Sequence, residues 1–284
     1  YGYTDFTSYS YRGTLDLGYP FTRDLVLDLT YTLENVDVST GSFGTKQRSL
    51  GSILNGGLTS AINATLTWDK RNNRLMPTKG FMLQGSIDIA DEYLGSQNEY
   101  IRFLGRARAY WPIFWDIVLK FNLEMGYIAN WNAPNKEVPI FERFFVGGPN
   151  SVRGFSRSSL GPSRAYTSNL TDPSSTITNF EIGGNKEIVF NAELEIPILK
   201  AMNISGVVFF DMGNAYNEDQ DLSLKIDWFA KSDEELDSVM RSSMGFGFRW
   251  LSPMGLLRFE WGFPLNPKKN EDNVVFEFSI GNAF

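Results

Sequence analysis

From Tyr11 to Phe21 the odd positions are apolar or glycine (Tyr11, Gly13, Leu15, Leu17, Tyr19, Phe21), and Arg12, Thr14, Asp16 and Gly18 stand between them. A period of two puts the first set on one face of a β-strand and the second on the other. After the polar turn Thr22-Arg23-Asp24 the alternation resumes with Leu25, Leu27, Leu29, Tyr31 and Leu33 against Asp28, Thr30, Thr32 and Glu34, so the two strands are predicted to form a hairpin. Nine further runs follow. Their apolar positions centre on Ile62–Trp68, Phe81–Ile89, Ile101–Trp111, Ile117–Tyr127, Ile188–Ile196, Val208–Met212, Met244–Trp250, Leu257–Phe263 and Val274–Ile280, the last continued by Phe284. That is about eleven strands, many about ten residues long, which exceeds the usual strand of a soluble sandwich. One segment departs: Ser232-Asp233-Glu234-Glu235 fits a capping box, and Leu236, Val239 and Met240 have helical spacing, which predicts a short solvated helix in a loop.

The connections alternate as well. Short turns at Thr22–Asp24, Arg71–Gly80, Pro112–Asp116, Leu199–Asn203 and Ser252–Gly255 interleave with long loops at Ser39–Leu58, Asp91–Glu99, Asn130–Lys186 and Asn217–Ser242. Short turns on one rim and long loops on the other describe an up-and-down meander. One face of it is aliphatic and aromatic, while the other carries several Arg and Glu per strand, which suits a wet lumen inside and lipid outside. Trp68, Trp111, Trp115, Trp250 and Trp261 lie near strand ends, as interfacial belts do. The predicted fold class is all-β: a transmembrane antiparallel barrel, whose closure would leave no backbone edge unpaired in lipid.

Composition narrows the chemistry. The 284 residues are 15% aromatic with a mean hydropathy of -0.22, and no run approaches 18 apolar residues, so a transmembrane helix is not expected. No basic-apolar leader stands at Tyr1, which reads as a mature chain or a fragment. With neither cysteine nor histidine, disulfides, thiolate or imidazole metal sites and Ser-His or Cys-His nucleophiles fall away. No cofactor or metal is expected, and an enzyme is the least favoured class. The net charge of -7 argues against nucleic acid as a partner.

One loop is more specified than a loop needs to be. Phe144 to Pro162 reads FFVGGPNSVRGFSRSSLGP, with breaks at Gly147-Gly148-Pro149 and Gly161-Pro162 and an arginine, Arg153, between Val152 and Gly154-Phe155. Its apolar residues predict that it folds back against the body, and a buried arginine then requires acidic partners. Glu193 and Asp211 fall on the polar face of consecutive predicted strands, within reach of one guanidinium.

With these stretches in place, the chain resembles the outer-membrane barrel-assembly insertases, the BamA-like family that also includes two-partner secretion transporters and the plastid import channel. The resemblance rests on Gly147-Gly148 with Val152-Arg153-Gly154-Phe155, Phe209-Phe210-Asp211-Met212-Gly213, Asn191-Ala192-Glu193-Leu194, Trp250-Leu251-Ser252-Pro253-Met254-Gly255, and Asp69-Lys70-Arg71-Asn72-Asn73 through Pro77-Thr78-Lys79-Gly80. It implies a bacterial outer-membrane location and a lumenal signature loop in which Arg153 locks onto Glu193 and Asp211. It also makes the last strand, with Phe276, Phe278, Ile280 and Phe284, one side of a seam and an assembly signal. The function it implies is insertion and folding of other barrels by strand pairing, with lipids, nascent outer-membrane proteins and accessory lipoproteins as partners; a polypeptide-secretion transporter or a passive pore is the alternative. Family barrels have sixteen strands behind POTRA domains. Residues 1–284 are therefore expected to be the barrel portion of an N-terminally truncated chain; the alternative is a reduced barrel in which Tyr1–Thr7 supplies a twelfth strand.

Overall fold

The computed structural model describes residues 7–39, 56–130, 137–167, 177–227 and 236–281. Their strands are β1 (Thr7–Pro20), β2 (Leu25–Ser39), β3 (Gly57–Asp69), β4 (Gly80–Ala90), β5 (Tyr100–Pro112), β6 (Val118–Ala129), β7 (Ser163–Thr167), β8 (Ile177–Glu181), β9 (Lys186–Leu199), β10 (Ile204–Tyr216), β11 (Arg241–Ser252), β12 (Gly255–Pro264) and β13 (Val275–Ile280). Eleven form one antiparallel sheet in sequence order, with β9 following β6, while β7 and β8 pair as a separate hairpin. Each sheet strand pairs with its neighbours, and among the described residues β1 and β13 each leave one edge unpaired. The capping box at Ser232–Glu235, Phe284 and all but the last residue of the candidate strand Tyr1–Thr7 lie outside the described residues.

The alternation sorts the side chains as its period requires. Leu66, Leu83, Phe103, Leu123, Val208, Phe246 and Phe278 point outward and remain largely exposed, the arrangement that lipid makes favourable. Aromatic pairs tile this surface, with Phe246 stacked on Trp261 at 5.7 Å and Trp261 beside Phe276 at 5.0 Å. On the opposite face charges meet across strands. Asp88 stands in register with Arg102 and Arg106 with Glu124, at 2.8 and 2.7 Å. Trp68, Trp111 and Trp250 end their strands at the rim of the short turns, and Trp115 sits in one of those turns.

The turn after β3 shows why its sequence is so specified. Asp69 accepts both guanidinium branches of Arg71 at 2.9 Å, and Asn72 Oδ1 accepts from the backbone of Thr78 and Lys79. Gly80 closes it at φ +107, where a Cβ would stand 2.1 Å from the Lys70 carbonyl.

One expectation is corrected. The predicted helix is seen at Leu236–Asp237 and has ended by Met240, which donates its N–H to the Lys225 carbonyl at 2.9 Å and begins the approach to β11. Leu236, Val239 and Met240 are buried, not solvated, and Met240 packs with Ile188 and Tyr216. The hairpin β7–β8 was not anticipated in the long loop.

Phe246 lies midway along β11 on the lipid face. Phe246→Arg is expected to destabilise the inserted barrel by about 2–4 kcal/mol, read as a lowered urea midpoint for folding into phospholipid vesicles.

Candidate functional site

The loop between β6 and β9 folds onto the polar face of the sheet. Val146 and Leu160 bridge its base, Gly147 N–H donates to Ser151 Oγ at 2.8 Å, and Gly148 N–H donates to the Val152 carbonyl. These bonds turn the backbone so that Val152, Phe155 and Leu160 bury with Val146, Val189 and Ala215 in one apolar cluster. Arg153 is carried to the wall between Val152 and Phe155 and is 2% exposed.

Its guanidinium is fully engaged. Nε and Nη2 donate to the two Asp211 oxygens at 2.6 and 2.7 Å, Nη1 to Glu193 at 2.5 Å and to Glu260 at 3.2 Å, and the backbone N–H also reaches Asp211. Below it lies the Phe209 ring, 3.6 Å from the guanidinium carbon. The carboxylates have other partners. Arg249 bridges Glu193 at 2.7 and 2.9 Å and Glu260 at 2.8 Å, and Arg258 holds Glu260 at 2.6 Å while donating to the loop carbonyl of Pro149 at 2.8 Å. Three guanidinium cations thus face three carboxylates, all of them buried, and the set is neutral. Lys120 and Glu195 extend it at 2.5 Å, and Asn191 donates to the Ser151 carbonyl at 2.6 Å.

Glycines give the wall its depth. Gly245, Gly247 and Gly262 all lie on the inner face of β11 and β12. A Cβ on Gly245 would meet the Phe209 ring at 2.3 Å, and one on Gly262 would meet Gly154 N at 2.4 Å. Gly154 itself has φ +85 and backs directly onto Gly262, so the Arg153-Gly154 segment approaches the strand backbone without a side chain between them.

The structure therefore brings Arg153, Glu193 and Asp211 together, and the signature-loop residues Gly147, Gly148, Val152, Gly154 and Phe155 surround them. The described seam residues Phe276, Phe278 and Ile280 lie apart, exposed on the outer face of β13. Arg249, Arg258, Glu260 and Phe209 were not anticipated. The parity of Glu193 and Asp211 places the first three on the same face; Phe209 is an apolar residue at an inward position and breaks the pattern that would have found it.

Between the loop and β13 runs a groove of about 580 Å³, lined by Phe155, Arg157, Ser159, Glu181 and Glu277 among others. Glu277 stands in register with Glu260 but outside its arginines, and its Oε2 is buried with no hydrogen-bond partner. Glu181, in the hairpin beyond the strands, has its carboxyl pushed up to about 7. Burial is the main cause and nearby Asp237 and Glu271 add to it, while Lys268 and Arg241 oppose it.

A lipid-faced antiparallel sheet with a loop anchored by buried ions on its polar face defines a transmembrane β-barrel braced from within. The family model of the Omp85 superfamily domain matches residues 2–284, and the chain belongs to that superfamily of outer-membrane barrels. It is 30% identical over 229 residues to the outer membrane protein assembly factor BamA of Nitratidesulfovibrio vulgaris, covering 80% of this chain and 26% of that protein. It is 28% identical over 236 residues to the BamA of Neisseria meningitidis serogroup B, covering 78% and 28%. A crystal structure of BamA from Haemophilus ducreyi lacking POTRA domains 1-3 superposes with a TM-score of 0.73 at 22% identity, over 97% of this chain and 54% of that one, a likeness of fold. The chain spans about a quarter of the length of these two curated relatives.

Removing Arg153 strands Asp211 and shares Glu193 and Glu260 among fewer cations. Arg153→Ala is expected to cost about 3–5 kcal/mol, where the exposed rim pair Lys200–Asp116 is worth about 1 kcal/mol or less. Loss of heat-resistant electrophoretic migration in the first variant and not in Lys200→Ala is the readout. A second expectation concerns Glu181. With its folded pKa above the ordinary value, its contribution to stability is complete below the usual carboxylate range and is lost as pH rises through about 7. Hydrogen exchange in β7–β8, corrected for intrinsic rates, should therefore be slower at pH 5 than at pH 8, and Glu181→Gln should remove the difference.

Proposed function

We propose that this chain is the barrel domain of an outer-membrane protein assembly factor, which inserts and folds other β-barrel proteins by pairing their strands at its β13 edge. The observation that carries this reading is the contrast between β13 and the wall beside it. β9 to β12 are tied together and to the loop by the buried ion set, whereas β13 has six residues and carries Glu277, whose Oε2 has no hydrogen-bond partner. An edge with free backbone donors and acceptors is the template that β-augmentation needs. The seam role of Phe276, Phe278 and Ile280 belongs to this proposal, as do nascent outer-membrane proteins, lipids and accessory lipoproteins as partners. The name of the matched relatives, outer membrane protein assembly factor, supports it. No bond is made or broken in such a step. The Arg153 lock serves it by keeping the loop and four strands fixed while the edge exchanges partners. The same loop stands inside the lumen, which speaks against a free passive pore.

Proteoliposomes carrying the chain should fold a urea-denatured small outer-membrane barrel several-fold faster than empty liposomes. A cysteine at Ser279, in a chain with none of its own, should form disulfides with cysteines walked along the client's terminal strand. Transport of an unfolded chain into the liposome without its folding would support a secretion transporter instead, and large steady conductance alone would support a pore.

A further inference from the structure

On the outer face of β3 to β6 lies a second groove, of about 510 Å³, almost wholly apolar and lined by Leu66, Trp68, Leu83, Gly85, Gly105 and Leu123 among others. Its floor is made by two glycines in direct register, Gly85 of β4 and Gly105 of β5, each flanked along its row by a large outward side chain, Leu66 on one side and Met125 on the other. Glycine in a strand interior weakens the strand, and it is retained where a backbone turns or something approaches closely. Neither protein reason holds here. Both residues have ordinary strand dihedrals; a Cβ on Gly85 would meet nothing within 4 Å, and one on Gly105 only the Met125 carbonyl at 3.9 Å. The contrast with Gly245 and Gly262, where the protein's own atoms fill the space, leaves the approach to come from the membrane side.

We propose that this groove is a binding site for one acyl chain of an anionic phospholipid in the leaflet on the short-turn side. The dimensions fit. Gly80 to Gly85 is about 17 Å along the strand at ~3.3 Å per residue, hence about 13 Å of depth at a tilt near 40°, against about 15 Å of hydrocarbon in one leaflet. The groove therefore starts beside Trp68 at the rim and ends near the bilayer centre. Charge at its mouth selects the headgroup. Lys70 stands 5.7 Å from the Trp68 ring centroid and only 3.9 Å at best from Asp24, and Arg74 is held at 3.6 Å by an Asp69 whose oxygens are already taken by Arg71. Both cations are substantially exposed and loosely paired, free to take a phosphate without breaking a tight ion pair. The site lies on strands β3 to β6, far in the sheet order from β13, so it is separate from the edge proposed to receive strands.

The test uses the full chain in vesicles of phosphatidylethanolamine and phosphatidylglycerol, with a trace of phosphatidylglycerol bearing a diazirine on its acyl chain. After photolysis, adducts are mapped by mass spectrometry. Leu83, Leu123 and Met125 should be labelled several-fold more than Leu194 and Phe248, outward residues elsewhere on the sheet. Gly85→Val with Gly105→Val fills the floor where the structure has open space, so heat-resistant migration should persist while the excess labelling disappears. Lys70→Gln with Arg74→Gln should abolish the preference for the phosphatidylglycerol probe over a phosphatidylcholine one. Even labelling around the belt, or an excess that survives the double valine variant, would overturn the site; an unchanged headgroup preference would overturn its selectivity.

Discussion

The buried set of Arg153, Arg249, Arg258, Glu193, Asp211 and Glu260 is the constraint on which the rest of the wall depends. Each ion loses several kcal/mol of hydration on burial, and only near-complete pairing with good hydrogen-bond geometry offsets that loss. Here Asp211 is held bidentately, Glu193 by two arginines and Glu260 by three. A hydrophobic plug of the same volume could be as stable, but it could slide along the wall. The ion set cannot, because its charges come from β9, β10, β11, β12 and the loop at once and fit in one registration only. What it supplies is position more than stability.

Position in turn explains the glycines. An arginine that must reach Asp211 and Glu260 together needs its backbone almost in contact with β12, and a Cβ on Gly262 would prevent that. Gly245 hollows the same wall for the Phe209 ring, which carries the guanidinium on its face. The rigid part of the sheet is therefore also its thinnest part, and it ends abruptly. Glu277 continues the row of inward carboxylates on β13 with no arginine to meet it. A strand of six residues therefore stands outside the locked block of four.

Period-two patterning made most of this legible in the sequence, because lipid outside and charge inside give every strand the same two-sided code. Parity also carried Glu193 and Asp211 to one face. It could not say which other inward charges meet them. Arg249 and Glu260 lie 56 and 67 positions beyond Glu193, and only the register of β9 through β12 shows that they share one site. Phe209 escaped for a different reason: an apolar residue on a polar face reads as noise until the cation above it is seen. Leu236, Val239 and Met240 misled only as to exposure, because a capping box marks where a helix begins and not what its apolar residues pack against.

The type of cation at 153 follows from the same geometry. A lysine ammonium is a single point that can sit among two or three oxygens, but it cannot span Asp211 on one side and Glu193 with Glu260 on the other, nor lie flat on an aromatic ring. The site asks for a planar, permanently charged fork with donors on three edges, and it orients that fork with a ring below and carboxylates around it. Arg249, by contrast, crosses from Glu193 to Glu260 along the wall without any loop contact among its hydrogen bonds. The two arginines share carboxylates but differ in what they hold, since Arg249 joins strands to each other and Arg153 joins the loop to the strands. Because Glu193 and Glu260 belong to both, the loop cannot withdraw without also loosening the strand-to-strand ties beside β13.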